Sequence, residues 1–246
     1  GLLLAWGASL LAQRQPSTRY TFGLRRSSIL AAFANAVFLF IVSGGVGWEA
    51  IQRFRDPAPV EGGTVIIVAA IGIAINTVSA LMFLSGRERD LNIRGAFLHL
   101  AADAGVSLGV VLAGIAIVLT RQQWFDPATS LIVTIVIIVS TWQLFRDALS
   151  LITDAVPAGI EPLAVRTYLL ERPGVTGVHD LHIWAMSTTE TALMVHLVMP
   201  NGHPGDAFLA EIYHDLHENF SIEHATIQIE LGDSGQPCAL APENVV

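Results

Sequence analysis

The chain has 246 residues, 52% of them hydrophobic and only 14% charged, whereas an ordinary soluble domain is nearer a quarter charged. A formal net charge of −8 and a single cysteine, Cys238, argue against a nucleic-acid binder and exclude a disulfide framework. The charge is uneven: from Ala155 onward twelve acidic residues stand against two arginines, a net of −10, and nearly all long apolar runs lie before residue 152.

In chain order, residues 1–12 are apolar but make only about half a span, since crossing the hydrocarbon core takes about 20 apolar residues. They have no basic flank and no cleavage site, so they are not a signal peptide. They read as the end of a helix whose beginning lies upstream, so we expect the sequence to be truncated. Four segments have the full length: about 28–52, 63–85, 95–119 and 128–150. Arginines cluster in the loops at 13–27 (Arg14, Arg19, Arg25, Arg26) and 86–94 (Arg87, Arg89, Arg94). The opposite loops carry Arg53, Arg55 and Arg121. The heavier loops should face the cytoplasm, which places everything after residue 150 there too.

Beyond Pro157 the pattern becomes that of a soluble domain. Residues 161–172 suit a short helix, 175–186 and 190–199 read as strands, 204–219 as an amphipathic helix and 224–231 as a final alternating strand. The order α-β-β-α-β predicts a small open sheet with helices on one face. The expected organisation is a membrane domain over 1–153, with a partial helix at 1–13, a cytoplasmic α+β domain over 154–232, and a flexible tail over 233–246.

The most informative motif is His99-x-x-x-Asp103, in the first third of an apolar span. Positions four apart share a helix face. An ionised Asp in the bilayer is expensive unless it is paired or lines a pathway, and imidazole and carboxylate are ordinary zinc ligands. The pair is read as half of a metal site completed from another helix; the alternative is a polar pair fastening helices together. Asn35 and Asn76 read as hydrogen-bonding residues between helices, and Glu49 as an interfacial residue.

Seven of the eight histidines lie between 179 and 224, which points to metal in the soluble domain. In a regular strand His179 and His182, three apart, point to opposite faces and do not readily share one ion. A site from His179, His196 and Glu230 on neighbouring strands is plausible. Each of these histidines reads equally well as a surface or strand-pair polar residue. His182 and His224 complete the cytoplasmic candidates, and His203, His214 and His217 read as solvated.

Taken in order, Tyr20-Thr-Phe-Gly23 with Arg25-Arg26, Ala34-Asn35-Ala36, His99-x-x-x-Asp103, Val178-His179-Asp-Leu-His182-Ile-Trp184, His196-Leu-Val and His224-Ala-Thr-Ile-Gln228-Ile-Glu230 resemble the cation diffusion facilitator transporters. Within them the chain is most similar to the bacterial zinc-exporting branch. The resemblance implies an integral protein of the bacterial inner membrane, a homodimer, and an α-helical transmembrane bundle of six helices per subunit. The first helix and part of the second would precede Gly1. It implies a ferredoxin-like cytoplasmic domain. His99 and Asp103 match the fifth-helix half of the transport site, and His179, His196 and Glu230 match positions lining the cytoplasmic metal site. Where many relatives carry an acidic residue two positions after the basic one, this chain has Ser28 after Arg26. An Arg26–Asp154 charge pair is expected near the domain junction, and Cys238 offers a single tail thiol.

The resulting expectation is efflux of Zn²⁺, with cadmium as a further substrate, exchanged for protons. Zinc would be both substrate and regulatory ligand of the cytoplasmic domain. Partners are the lipid membrane, a second copy, divalent metals and protons, with no nucleic acid. Alternatives are a membrane-anchored zinc sensor or metal-binding module, and cobalt or nickel as substrate, because imidazole suits those ions too. No H-E-x-x-H, nucleophile elbow or phosphate-binding glycine loop marks an enzyme.

Overall fold

The computed structural model describes residues 2–56, 61–83, 91–232, 238 and 240. Arg87, Arg89 and, apart from Cys238 and Leu240, the tail expected over 233–246 lie outside the described residues. Among the described residues ten elements follow one another: α1 (Leu2–Ala12), α2 (Ser27–Arg55), α3 (Gly62–Phe83), α4 (Leu91–Thr120), α5 (Phe125–Ile152), α6 (Pro162–Leu170), β1 (Gly177–Ala185), β2 (Thr191–Val198), α7 (Asp206–Phe220) and β3 (His224–Glu230). The chain divides into two compact units, residues 38–142, and residues 1–37 together with 143–246.

Helices α2 to α5 contain four stretches long and apolar enough to cross a membrane. Only 11–17% of each apolar window is buried against protein, and Ile41, Ile67, Ile75, Leu112 and Val139 are all more than half exposed. A surface of that size and character belongs in lipid. Within unit 38–142, α3 and α4 approach closely through glycine. A Cβ on Gly62 would stand 2.9 Å from the Gly114 carbonyl, and one on Gly114 would stand 2.7 Å from Ile66 Cγ1. Small residues let helix backbones meet where lipid supplies no hydrophobic drive. At the ends of α2 and α5, Arg53 donates to Glu49 (2.7 Å) and to Asp126 (2.9 Å).

The C-terminal part of the other unit is the small α+β domain, in the order α-β-β-α-β. Glu161 caps α6 and Pro162 opens it, a position where the missing N–H costs nothing. The sheet runs β1-β2-β3, with β1 and β2 antiparallel and β2 and β3 parallel. A parallel neighbour needs a crossover, and α7 supplies it. Helices α6 and α7 cover one sheet face. Val165 and Leu169 of α6 and Ile212 and Leu216 of α7 pack on Val178, Ile183, Leu193, Val195 and Leu197. Strict alternation along β2 and β3 leaves His196, Gln228 and Glu230 for the face without helices.

Alternation fails on β1. Val178 and Ile183 both enter the core, yet they are five positions apart. The ladder pairs His179 with His196 and His182 with Met194, with an irregularity between. Asp180 sits there in the left-handed region, φ 51°, which Asp tolerates better than most residues. This β-bulge inserts one extra residue and resets the pleat. The regular-strand premise that separates His179 and His182 therefore does not hold: both belong to the helix-free face.

Candidate metal centres

Four side chains converge on that face. His179, His196, Glu230 and Cys238 each offer one ligand atom, and the four atoms lie within 4.8 Å of one another. The ladder explains most of this. His179 is directly opposite His196, their rings 5.2 Å apart at 77°. Glu230 enters from β3, paired with Val198 two residues beyond His196. Cys238 comes from the segment after β3, its sulfur 3.7 Å from His196 Nδ1.

The separations suit one ion. Glu230 places Oε1 3.0 Å from His196 Nδ1 and Oε2 3.3 Å from His179 Nε2. A tetrahedral zinc with bonds of about 2.0–2.3 Å holds its donors roughly 3.3–3.8 Å apart. His179 Nε2 is buried and makes no hydrogen bond among the described residues. Glu230 lies within ion-pair distance of it but is not aligned to accept. A buried nitrogen left in that state calls for an explanation, and a lone pair facing a ligand position is one. Gln228 Nε2 donates to Glu230 Oε1 (2.9 Å) and steadies the carboxylate. Two imidazole nitrogens, a carboxylate and a thiolate form a borderline-soft donor set that fits zinc.

Beneath this cluster lies a residue the sequence reading does not single out. The Asp180 carboxylate, 1% exposed, has Oδ1 3.0 Å from His182 Nε2 and Oδ2 3.4 Å from His196 Nε2. Its sequence signal is the acidic residue inside His179-Asp-Leu-His182, where the apolar parity breaks. His182 thus stands behind the four converging groups, bound to Asp180. His224 stands apart, at the other end of β3 opposite Ala192, its ring edge-on to Phe22 at 5.6 Å.

The membrane candidates lie on α4. His99 precedes Asp103 by one helical turn, and its side chain is outside the described ones. Asp103 is half-buried and opens the apolar window Asp103–Thr120. The junction pair is present: Arg26 donates to Asp154. Beside it Arg25 is bonded to Glu190, and Ser28 Oγ accepts from the Thr188 N–H (3.1 Å).

Comparison with known proteins places the chain in a family. The profile described as "Cation efflux transmembrane domain" matches residues 1–153, and "Cation efflux protein, cytoplasmic domain" matches 157–231. The chain is 36% identical over 239 residues to the zinc transporter ZitB of Escherichia coli (strain K12), covering 96% of this chain and 75% of that one. It is 35% identical over 241 residues to the metal cation efflux system protein CzcD of Cupriavidus metallidurans, covering 98% and 75%. It is 35% identical over 234 residues to a cadmium, cobalt and zinc/H(+)-K(+) antiporter of Bacillus velezensis, covering 93% and 74%. A solved metal-bound C-terminal domain of the CzcD transporter aligns at 37% identity over 29% of this chain and 100% of that one, with a TM-score of 0.28. With both domain profiles matched in order and these relatives aligned along nearly its whole length, the chain belongs to the cation efflux family of membrane transporters.

Proposed function

We propose that this member of a divalent-cation efflux family carries zinc, with cadmium as a second substrate, and exchanges it for protons. The observation that supports the metal assignment best is the convergence of His179, His196, Glu230 and Cys238 within 4.8 Å. That donor set favours zinc and cadmium over manganese or iron, which prefer harder oxygen ligands. The names of the relatives point the same way, to zinc in one and to cadmium, cobalt and zinc against protons and potassium in another.

In this reading Asp103 and His99 on α4 are transport ligands, and the cytoplasmic cluster is a regulatory site. A carboxylate at the start of an apolar span is costly without a function. Ligands must lose their protons to bind metal, so zinc and protons compete for one site. An ordinary imidazole titrates near neutral pH, which suits that exchange. Zinc on the cytoplasmic domain favours one conformation of a homodimer to the extent that it binds that conformation more tightly.

The test is flux in proteoliposomes reconstituted with the protein. A pH-sensitive dye is trapped inside, and zinc, cadmium, cobalt, nickel and manganese are added in turn. Zinc-driven proton movement that vanishes in Asp103→Ala supports the proposal. Undiminished flux in that variant removes Asp103 from the site. Silence with every metal, together with tight zinc binding, turns the assignment toward a membrane-anchored sensor.

A further inference from the structure

The buried Asp180 carboxylate has no part in the four-donor cluster, yet it is the least exposed charged group around it. Its two oxygens are treated differently. Oδ1 accepts from His182 Nε2–H at 3.0 Å. Oδ2 is buried and accepts no hydrogen bond among the described residues, although His196 Nε2 is 3.4 Å away. A carboxylate at 1% exposure with one oxygen unanswered is expensive. Something must offset it.

His196 supplies the counterpart. Its Nδ1 points at Glu230 and Cys238, and its Nε2 points at Asp180. A neutral imidazole that ligates through Nδ1 must carry its proton on Nε2. Among the described residues, Asp180 Oδ2 lies 3.4 Å from that nitrogen, the carboxylate oxygen toward which that proton is directed. We infer that Asp180 is a positioning residue of the cytoplasmic metal site: it holds the Nε2–H tautomer of His196, so that Nδ1 keeps its lone pair for the metal. His182 acts as an anchor that pins the opposite oxygen and so fixes the carboxylate plane. A ligating histidine whose second nitrogen meets a carboxylate is a recurrent way to orient the ring and raise its basicity. The bulge is what makes the arrangement available. Without the extra residue, position 180 would fall on the face that packs against α6 and α7.

The inference rests on the reading of His179, His196, Glu230 and Cys238 as a zinc site, and the experiment separates the two. The backbone at Asp180, φ 51°, gives a direct discrimination. Glycine adopts that conformation more readily than Asp, so Asp180→Gly keeps the bulge and deletes the acceptor. If Asp180 serves only the backbone, the glycine variant binds zinc as the parent does. If the carboxylate positions His196, affinity falls.

Zinc affinity and stoichiometry would be measured on the full chain in detergent by competition with a chromophoric chelator. Histidine tautomers would be read from long-range ¹H–¹⁵N correlations on ¹⁵N-histidine-labelled protein without metal. The expected result for Asp180→Gly is zinc binding weaker by up to about a hundredfold, with unchanged stoichiometry at saturation and His196 no longer held as Nε2–H. Asp180→Asn, which tolerates the same backbone and keeps a weaker acceptor, should lose about tenfold and guards against misfolding of the glycine variant. His196→Ala should lose one zinc per chain. If His196→Ala loses that zinc while Asp180→Gly and Asp180→Asn leave affinity and tautomer unchanged, the positioning role is overturned and the site stands. If His196→Ala leaves the stoichiometry untouched, the site itself is wrong and the positioning role falls with it.

Discussion

His179 and His196 stand directly opposite each other across the β1–β2 ladder, rings 5.2 Å apart, and both lie within ion-pair distance of the one Glu230 carboxylate. A single ion there would tie together all three strands of the sheet, because Glu230 belongs to β3. A ligand that binds only the folded state stabilises it by mass action, by about 2.7 kcal/mol at a free concentration one hundred times Kd. Thermal melts of the chain with zinc and with a chelator should differ by that order. In His196→Ala the difference should disappear.

The thiol of Cys238 gives a second handle, because it is the chain's single cysteine and its sulfur lies 3.7 Å from His196 Nδ1. A coordinated thiolate is withheld from alkylating reagents. At free zinc ten times Kd only about one molecule in eleven has an empty site. The rate of Cys238 alkylation should therefore fall about tenfold on adding zinc and recover with chelator. An alkylation rate indifferent to zinc would remove Cys238 from the ligand set and leave three donors.

Gly62 and Gly114 form one close contact between α3 and α4. A Cβ at Gly62 reaches the Gly114 carbonyl and Val118 Cγ2, both at 2.9 Å. The carbonyl cannot swing aside as a side-chain end can. Gly62→Ala should therefore part the helices and cost about 1–3 kcal/mol, read as a lower melting temperature in detergent. Gly63→Ala is the control, since a Cβ there meets nothing within 4 Å and alanine favours the helix.

The membrane helices were legible because apolar length is itself the physical requirement for spanning, and no partner need be known to read it. The α-β-β-α-β domain was legible from periodicity: Ala225, Ile227 and Ile229 alternate on β3 and all pack against the core. The relation of His179 to His182 was not legible. Counting by twos presumes a regular pleat, and the bulge at Asp180 breaks it. The clue was present in Val178 and Ile183, which cannot both face a core across an unbroken strand. His224 shows the converse limit. It lies on the same strand as Glu230 and, by parity, the same sheet face, but at the far end, and sequence parity carries no distance along the strand.

Tyr168 joins the two helices of the cytoplasmic domain, and its chemistry sets a sign for alkaline stability. Its hydroxyl donates to Asp215 Oδ2 at 2.7 Å, and the Arg172 guanidinium lies over its ring at 4.3 Å. Burial first, and then the hydrogen bond and negative charge of Asp215, push the Tyr168 phenol well above its ordinary value of 10.0. The folded state therefore holds this proton more tightly than the unfolded chain does. Its contribution is complete below about pH 10 and is lost as pH rises toward the folded-state value. Phenylalanine keeps the ring and removes both the hydrogen bond and the titration. Tyr168→Phe should cost about 1–2 kcal/mol at neutral pH, and the gap to the parent should narrow above about pH 10. Unfolding followed by far-UV circular dichroism across that range would show it. A gap that stays constant into alkali would mean that the phenol holds no more tightly to its proton in the folded domain than in the open chain.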